Sequence, residues 1–335
     1  MRIVVYGAGA IGSLVAGYLK LKGEDICIIG HAESIKAINE KGLEISGVRG
    51  NLNTKINASQ ELDFKPDLVI LATKTQDIDT ALKNNLKFIR DTAVLTTQNG
   101  IQADNIVAKY VPKENIISSI IMFGSTYLEP GKVVHNFEGN WILGKMFNAK
   151  PDGKVIAVAN VLDKAFTTIV SEDIQGMKYL KIFVNANNCI PAILGLSMQD
   201  TFKDPEMSRI SINIWKEGIG IVSKAGINLV SLPGFPLENI TKLTAMPVID
   251  AARIFSGIMS NLSKEPLYGS ILQSIKRGRA SEIDYINGEF VNLAEKNTLS
   301  APLNKKLVEM VHSVETSNRF FTKEELLKST KGLVN

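Results

Sequence analysis

Apolar residues recur in two different periods along this chain, strand-like in the first half and helical in the second. Arg2-Ile3-Val4-Val5-Tyr6 is β-branched and aromatic enough for a buried strand. Gly7-Ala8-Gly9-Ala10-Ile11-Gly12 follows at once, and then Leu14, Val15, Tyr18 and Leu19 at helical spacing, with Gly23 closing the helix. Asp25 to Ile29 predicts a second strand, and Ile35, Ile38 and Leu43 a helix behind it. From Gly42 to Ser59 short apolar alternation predicts small antiparallel strands. Leu68 to Thr73 and Thr92 to Thr97 have the near-continuous apolar character of parallel strands, with a helix from Asp77 to Ile89 between them. A helix (Ala103 to Tyr110), a strand (Ile116 to Met122), two short strands around the Glu129-Pro130-Gly131-Lys132 turn, a strand at Trp141 to Leu143, a helix (Val155 to Ala165) and a strand (Thr167 to Val170) complete the first half.

Strand patterning stops near Glu172-Asp173, which sets the expected domains at 1–172 and 173–335. Beyond it the period is helical. Met177 to Gly195 predicts one helix, or two interrupted at Pro191. Pro205 to Ala225 predicts a long helix with Gly226 as its cap, followed by Asn239 to Leu243, Val248 to Met259, Ser281 to Lys296 and Pro302 to Asn318.

Composition narrows the class. The 335 residues suggest about two domains, and 45% hydrophobic with 21% charged residues is ordinary for a globular protein. The net charge of +4 is small and no Lys/Arg stripe interleaved with aromatics appears, so nucleic acid is not an expected partner. Two cysteines, Cys27 and Cys189, make neither a disulfide framework nor a zinc spacing, and Cys27 reads as a buried, inert thiol. No metal site is expected. The longest charge-free stretch, Ile182 to Gln199, holds three Asn and a Pro, so no membrane span is expected, and the chain reads as cytoplasmic.

The chemistry begins at the first turn. Strand, G-x-G-x-x-G and helix stand in the order that a dinucleotide requires: Gly7 for the tight turn, Gly9 for close approach of a pyrophosphate, Gly12 for helix packing. Ala8, Ala10 and Ile11 complete that cradle, and the helix N-terminus offers its N–H groups to phosphate. At the tip of the second strand, Gly30-His31-Ala32 lacks the acidic residue that favours NAD, so the tip leans to NADP. His31 is a phosphate contact or a plain surface histidine; Glu33 is a first-turn helix carboxylate. Lys74 and Asn99 each follow a parallel strand, on the edge where ligands lie. Asn99-Gly100 is also an ordinary turn. In the helical half, Lys181 and Asn185 share one helical face among apolar neighbours. A snorkelling surface lysine has the same pattern. Glu282 is a candidate, or simply a first-turn carboxylate.

Gly7-x-Gly9-x-x-Gly12, the Lys74 strand end, Gln98-Asn99-Gly100, Lys181-x-x-x-Asn185 and the block from Ser270-x-Leu272-Gln273 through Gly278-Arg279-x-x-Glu282-Ile283-Asp284-x-x-Asn287-Gly288 together resemble the ketopantoate reductase family. The likeness runs from residue 2 to about 315. It implies an α/β Rossmann N-terminal domain plus an all-α C-terminal domain, the latter like the C-terminal part of 6-phosphogluconate dehydrogenase, with the active site in the cleft between them. It also implies NADPH-dependent reduction of 2-dehydropantoate to pantoate, a step of pantothenate biosynthesis. By the same resemblance Lys181 is the general acid, and Glu282 is a catalytic residue that also touches the cofactor. Asn99, Asn185 and Ser270 contact substrate, Asn99 the cofactor as well.

The chain departs from the family pattern in three places. His31 stands where many members have arginine. Asn187-Asn188-Cys189-Ile190-Pro191 replaces an Asn-Pro pair, so a second substrate-binding asparagine falls on Cys189 or slips to Asn188. Gln199 falls where some members have another substrate-contacting asparagine. The alternatives are a paralogue reducing another branched 2-oxo acid, an opine-type or 3-hydroxyacid dehydrogenase, and a non-enzymatic dinucleotide-binding regulator. A small-molecule 2-oxo acid is the expected partner, and a homodimer is left open.

Overall fold

The computed structural model describes residues 1–147, 149–263 and 265–334. The chain divides into two units, Met1–Gln175 and Gly176–Asn335.

The first unit contains β1 (Arg2–Tyr6), α1 (Ala10–Leu21), β2 (Asp25–Ile29), α2 (Ala32–Lys41), β3 (Leu43–Gly47), β4 (Leu52–Thr54), β5 (Asn57–Ser59), β6 (Leu68–Leu71), α3 (Ile78–Ile89), β7 (Ala93–Thr96), α4 (Gln102–Val107), β8 (Ile116–Ile121), β9 (Gly124–Glu129), β10 (Lys132–Phe137), β11 (Trp141–Gly144), α5 (Gly153–Leu162) and β12 (Thr168–Val170). The main sheet has the order β12-β11-β8-β7-β6-β1-β2-β5. Its strands are parallel except at the β11–β8 junction, which is antiparallel. The strand period of two sorts the side chains. Ile3, Val5, Ile26, Ile28, Leu68 and Ile70 enter the core on one face, and Val4, Ile29, Val69 and Leu71 the core on the other. Both faces being covered explains the near-continuous apolar strands.

The Gly42–Ser59 stretch differs from expectation. β3 and β4 are antiparallel, but they belong to a second sheet, β4-β3-β10-β9, in which β3 and β10 run parallel. β5 instead joins the main sheet beside β2. α1 is therefore buried along Gly12–Leu19. Gly17 packs on the second sheet so closely that a Cβ there would sit 2.4 Å from Ile45 Cδ1. Cys27 is half-buried rather than buried, and burial raises its thiol pKa.

The helical unit holds α6 (Ile174–Ala186, which begins just before the division), α7 (Cys189–Leu194), α8 (Met198–Phe202), α9 (Pro205–Lys224), α10 (Glu238–Ala245), α11 (Val248–Ser260), α12 (Ser270–Lys276), α13 (Asn287–Lys296), α14 (Pro302–Ser317) and α15 (Lys323–Ser329). Trp215 of α9 donates to the Phe183 carbonyl of α6 at 2.8 Å, and Phe183 meets Phe290 of α13 edge-on at 4.8 Å. Glu217 of α9 accepts the Leu303 and Asn304 N–H groups at 2.9 Å, capping α14 from a distant part of the chain.

Two helix boundaries are corrected. The break after α6 falls at Asn187-Asn188, and Pro191 sits inside the first turn of α7, where its missing N–H costs no bond. The expected helix from Ser281 starts only at Asn287, after a 3₁₀ turn over Ile283–Tyr285. Ile283 and Ile286, at the two ends of this turn, both enter the core, each 0% exposed. Glu282 precedes that turn and is not a first-turn α-helix carboxylate. Among the described residues no helix is long and apolar enough to cross a membrane. Likewise, no group of three or more His, Cys, Asp or Glu is placed to hold a metal ion.

Candidate active site

The main sheet brings its ligand edge together by register. Tyr6 pairs with Ile29 on one side and Leu71 on the other, and Leu71 pairs with Thr96. The next residues, Gly7, Gly30, Ala72 and Thr97, therefore leave the sheet side by side. The chain passes from β2 and β5 across β1 to β6, which makes the β1/β6 crevice a topological switch point.

The glycine turn fits a dinucleotide by its steric demands. Gly7 has φ +119° and a Cβ there would lie 2.7 Å from the Ala72 carbonyl carbon. A Cβ on Gly12 would lie 1.8 Å from the Gly7 oxygen. Gly9 has nothing within 4 Å of where a Cβ would stand, so open space faces the turn where phosphates must approach. No side chain caps α1 and no acidic residue stands in its first turn, so its dipole is left to favour an anion. Ala8, Ala10 and Ile11 lie in the same turn.

The expected cofactor residues His31, Lys74 and Asn99 lie at the same edge, and Glu282 lies in the helical unit. His31 is exposed at the N-cap of α2, and Glu33 lies in that helix's first turn. Lys74 is half-buried just beyond β6, and Asn99 half-buried just beyond β7, where Gly100 turns the chain at φ +78°. Asn-Gly is thus both a turn and part of the ligand edge. Sequence reasoning gave Gln98 no task of its own. Its buried amide donates to the Leu71 and Thr73 carbonyls at 3.0 and 2.9 Å, and its oxygen accepts the Thr97 N–H at 3.0 Å. Gln98 ties the end of β7 to the end of β6, fixing the backbone that carries Asn99 to the backbone that carries Lys74. The Gln-Asn-Gly run was its only local signal.

In the helical unit, Lys181 and Asn185 are one turn apart on α6, whose Leu180, Ile182, Phe183 and Ala186 are buried. Lys181 keeps some accessible surface, yet burial alone pulls its ammonium down to about 8. Lys178, three residues before it, is 2% exposed. Ser270 is the exposed first residue of α12, and Glu282 is half-buried ahead of the 3₁₀ turn.

Two of the departures have well-defined surroundings. Cys189 is fully buried, and burial pushes its thiol up to about 12, so it faces the core. Asn188 is half-buried against the turn into α12: a Cβ on Gly269 would lie 3.0 Å from Asn188 Cγ. Of the two, Asn188 is the one beside Ser270. Gln199 works on the backbone, donating to the Ser263 and Glu265 carbonyls and accepting the Leu267 N–H at 3.0 Å.

A family model described as ketopantoate reductase PanE/ApbA matches residues 3–148, and one described as its C terminal domain matches residues 173–315. The chain belongs to the ketopantoate reductase family. As a family member it is an oxidoreductase with a Rossmann domain and a helical C-terminal domain. The 2-dehydropantoate 2-reductase of Pyrococcus horikoshii is 34% identical to it over 322 residues, spanning 94% of this chain and 98% of that one. That of Archaeoglobus fulgidus is 26% identical, over 94% and 98%. Among solved structures, a D-mandelate dehydrogenase with NADH and anilino(oxo)acetate superposes at a TM-score of 0.81 and 28% identity, over 95% of this chain and 99% of that one. The 2-dehydropantoate 2-reductase of Geobacter metallireducens shares the fold at 0.79 and 20% identity, over 94% and 100%.

Proposed function

We propose that this reductase converts 2-dehydropantoate to pantoate in pantothenate biosynthesis with NADPH, using Lys181 as general acid. What carries the reading is the likeness to 2-dehydropantoate 2-reductases over 94% of the chain, with Lys181 and Asn185 one turn apart on α6 among buried apolar neighbours; burial lowers the Lys181 ammonium to about 8, which suits a proton donor. The glycine turn would hold the pyrophosphate, His31 the 2′-phosphate end, and Lys74 and Asn99 the phosphate or ribose. Bound there, the reduced nicotinamide supplies hydride to the C2 carbonyl. Lys181 stabilises the oxygen as it becomes negative and then gives it a proton. Asn185 and Ser270 hold the substrate's carboxylate or hydroxyl, and Glu282 orients Lys181 or a substrate hydroxyl by a charge-assisted hydrogen bond.

A second reading is kept by one similarity. The D-mandelate dehydrogenase structures hold NADH, and a reductase of another branched 2-oxo acid would use the same residues. Turnover of 2-dehydropantoate with NADPH and NADH in parallel tests the cofactor half. A higher kcat/KM with NADPH is expected, because no carboxylate stands at Gly30-His31-Ala32 to take the ribose 2′-OH. Preference for NADH would refute it and turn attention to Glu33. Lys74→Ala is expected to raise the NADPH KM with little change in kcat, the mark of a contact equal in ground and transition states. A fall in kcat alone would contradict that.

A further inference from the structure

Glu282 lies in a turn whose local bonds include the Tyr285 N–H to the Glu282 carbonyl at 3.0 Å, the Ile286 N–H to the Ile283 carbonyl at 3.1 Å and the Ile283 N–H to Ser281 Oγ at 3.3 Å. α14 adds a contact on either side of it. Glu315 accepts the Ser281 N–H at 2.6 Å, directly before Glu282. Its other carboxylate oxygen pairs with His312 Nδ1 at 2.9 Å, and His312 Nε2 reaches Asp284 at 2.9 Å, two residues past Glu282. One helix thus grips the turn on both sides of a single residue.

The local electrostatics suit a standing clamp. Burial pulls the His312 imidazolium down, but the carboxylates on both nitrogens outweigh it and hold the ring above its ordinary value. Burial pushes Glu315 up, and the Ser281 and His312 donors bring it below the usual carboxylate range. A protonated His312 donates from both nitrogens at once, whereas neutral imidazole has only one donor. None of the three residues stands among those expected to touch cofactor or substrate.

We propose that Glu315, His312 and Asp284 form a clamp that positions Glu282 for the reaction. This rests on the reading of Glu282 given above. The three are positioning residues, acting through the turn. A misplacement of about 1 Å in a group that orients the reacting atoms costs up to about 10²-fold in rate.

The test compares Glu282→Gln, His312→Gln and their double variant, reading kcat/KM for 2-dehydropantoate, the KM for NADPH and Tm. His312→Gln is expected to lower kcat/KM for the oxo acid by about 10- to 10²-fold, to shift the NADPH KM no more than Glu282→Gln does, and to leave Tm near wild type. In the Glu282→Gln background it should add less than about twofold, since both act through one group. An equal loss in both backgrounds would mean a merely structural role and overturn the clamp. So would wild-type kcat/KM in His312→Gln beside a depressed Glu282→Gln. Wild-type activity in Glu282→Gln would instead remove the reading of Glu282, and the clamp with it. Should His312→Gln fail to fold, Asp284→Asn carries the same test, because the Asp284 side chain is 56% exposed.

Discussion

Lys181→Ala is expected to lower kcat by about 10²- to 10⁴-fold, or roughly 3 to 5 kcal/mol of barrier, with NADPH affinity nearly unchanged. The charge that Lys181 meets appears only as hydride arrives, so its loss falls on the transition state. The pH dependence has a definite sign. The ammonium is the acid, its pKa is lowered to about 8 by burial, and kcat/KM should fall as pH rises through that value. Stability runs the other way. Below about pH 8 Lys181 is charged in both folded and unfolded states and the desolvation cost is carried in full. Between there and the unfolded value of about 10.4 the folded state releases its proton first, so stability rises with pH. Steady-state kinetics and cofactor titration on the variant check the first point. Retention of more than about a tenth of wild-type kcat would fall short of the smallest effect expected of a general acid, and Lys178 would be next to test.

The second large effect is expected at the glycine turn, where two conservative changes should part company. A Cβ on Gly12 would lie 1.8 Å from the Gly7 oxygen, a backbone atom that cannot swing aside. Gly12→Ala must push α1 from β1, at about 1–3 kcal/mol or more, which lowers Tm by roughly 2–4 °C per kcal/mol and abolishes tight NADPH binding. Gly9→Ala meets nothing within 4 Å. It should fold with wild-type Tm and lose cofactor affinity alone, because its methyl occupies the approach to the turn. Thermal melts and NADPH binding on the pair decide it. Equal Tm for both variants, or full cofactor affinity in Gly9→Ala, would contradict the assignment.

What was legible in the sequence was what is local. Strand, glycine turn and helix at the N-terminus, the apolar β6 and β7 with Lys74 and Asn99 at their ends, and Lys181 with Asn185 on one helix are all short-range patterns. The misjudged places depend on distant partners. Pro191 looked like a helix breaker, but α7 starts so close before it that its missing N–H falls in a first turn. Glu282 looked like the first turn of an α-helix, but the chain makes a 3₁₀ turn over Ile283–Tyr285 and the α-helix begins only at Asn287. Cys189 and Asn188 look alike by spacing; in the structure the thiol is buried and Asn188 packs beside Gly269. Gln98, Gln199 and Glu217 spend their side chains on backbone groups of other elements. No periodicity shows which backbone that is.

The central claim is the substrate, and competition between two 2-oxo acids tests it most directly. Oxidation of NADPH should be followed with 2-dehydropantoate and, in parallel, with phenylglyoxylate, the oxo acid corresponding to mandelate. The expected result is a clearly higher kcat/KM for 2-dehydropantoate, lost in Lys181→Ala. Turnover of phenylglyoxylate with none of 2-dehydropantoate would contradict it and assign the chain to the other branch of this fold.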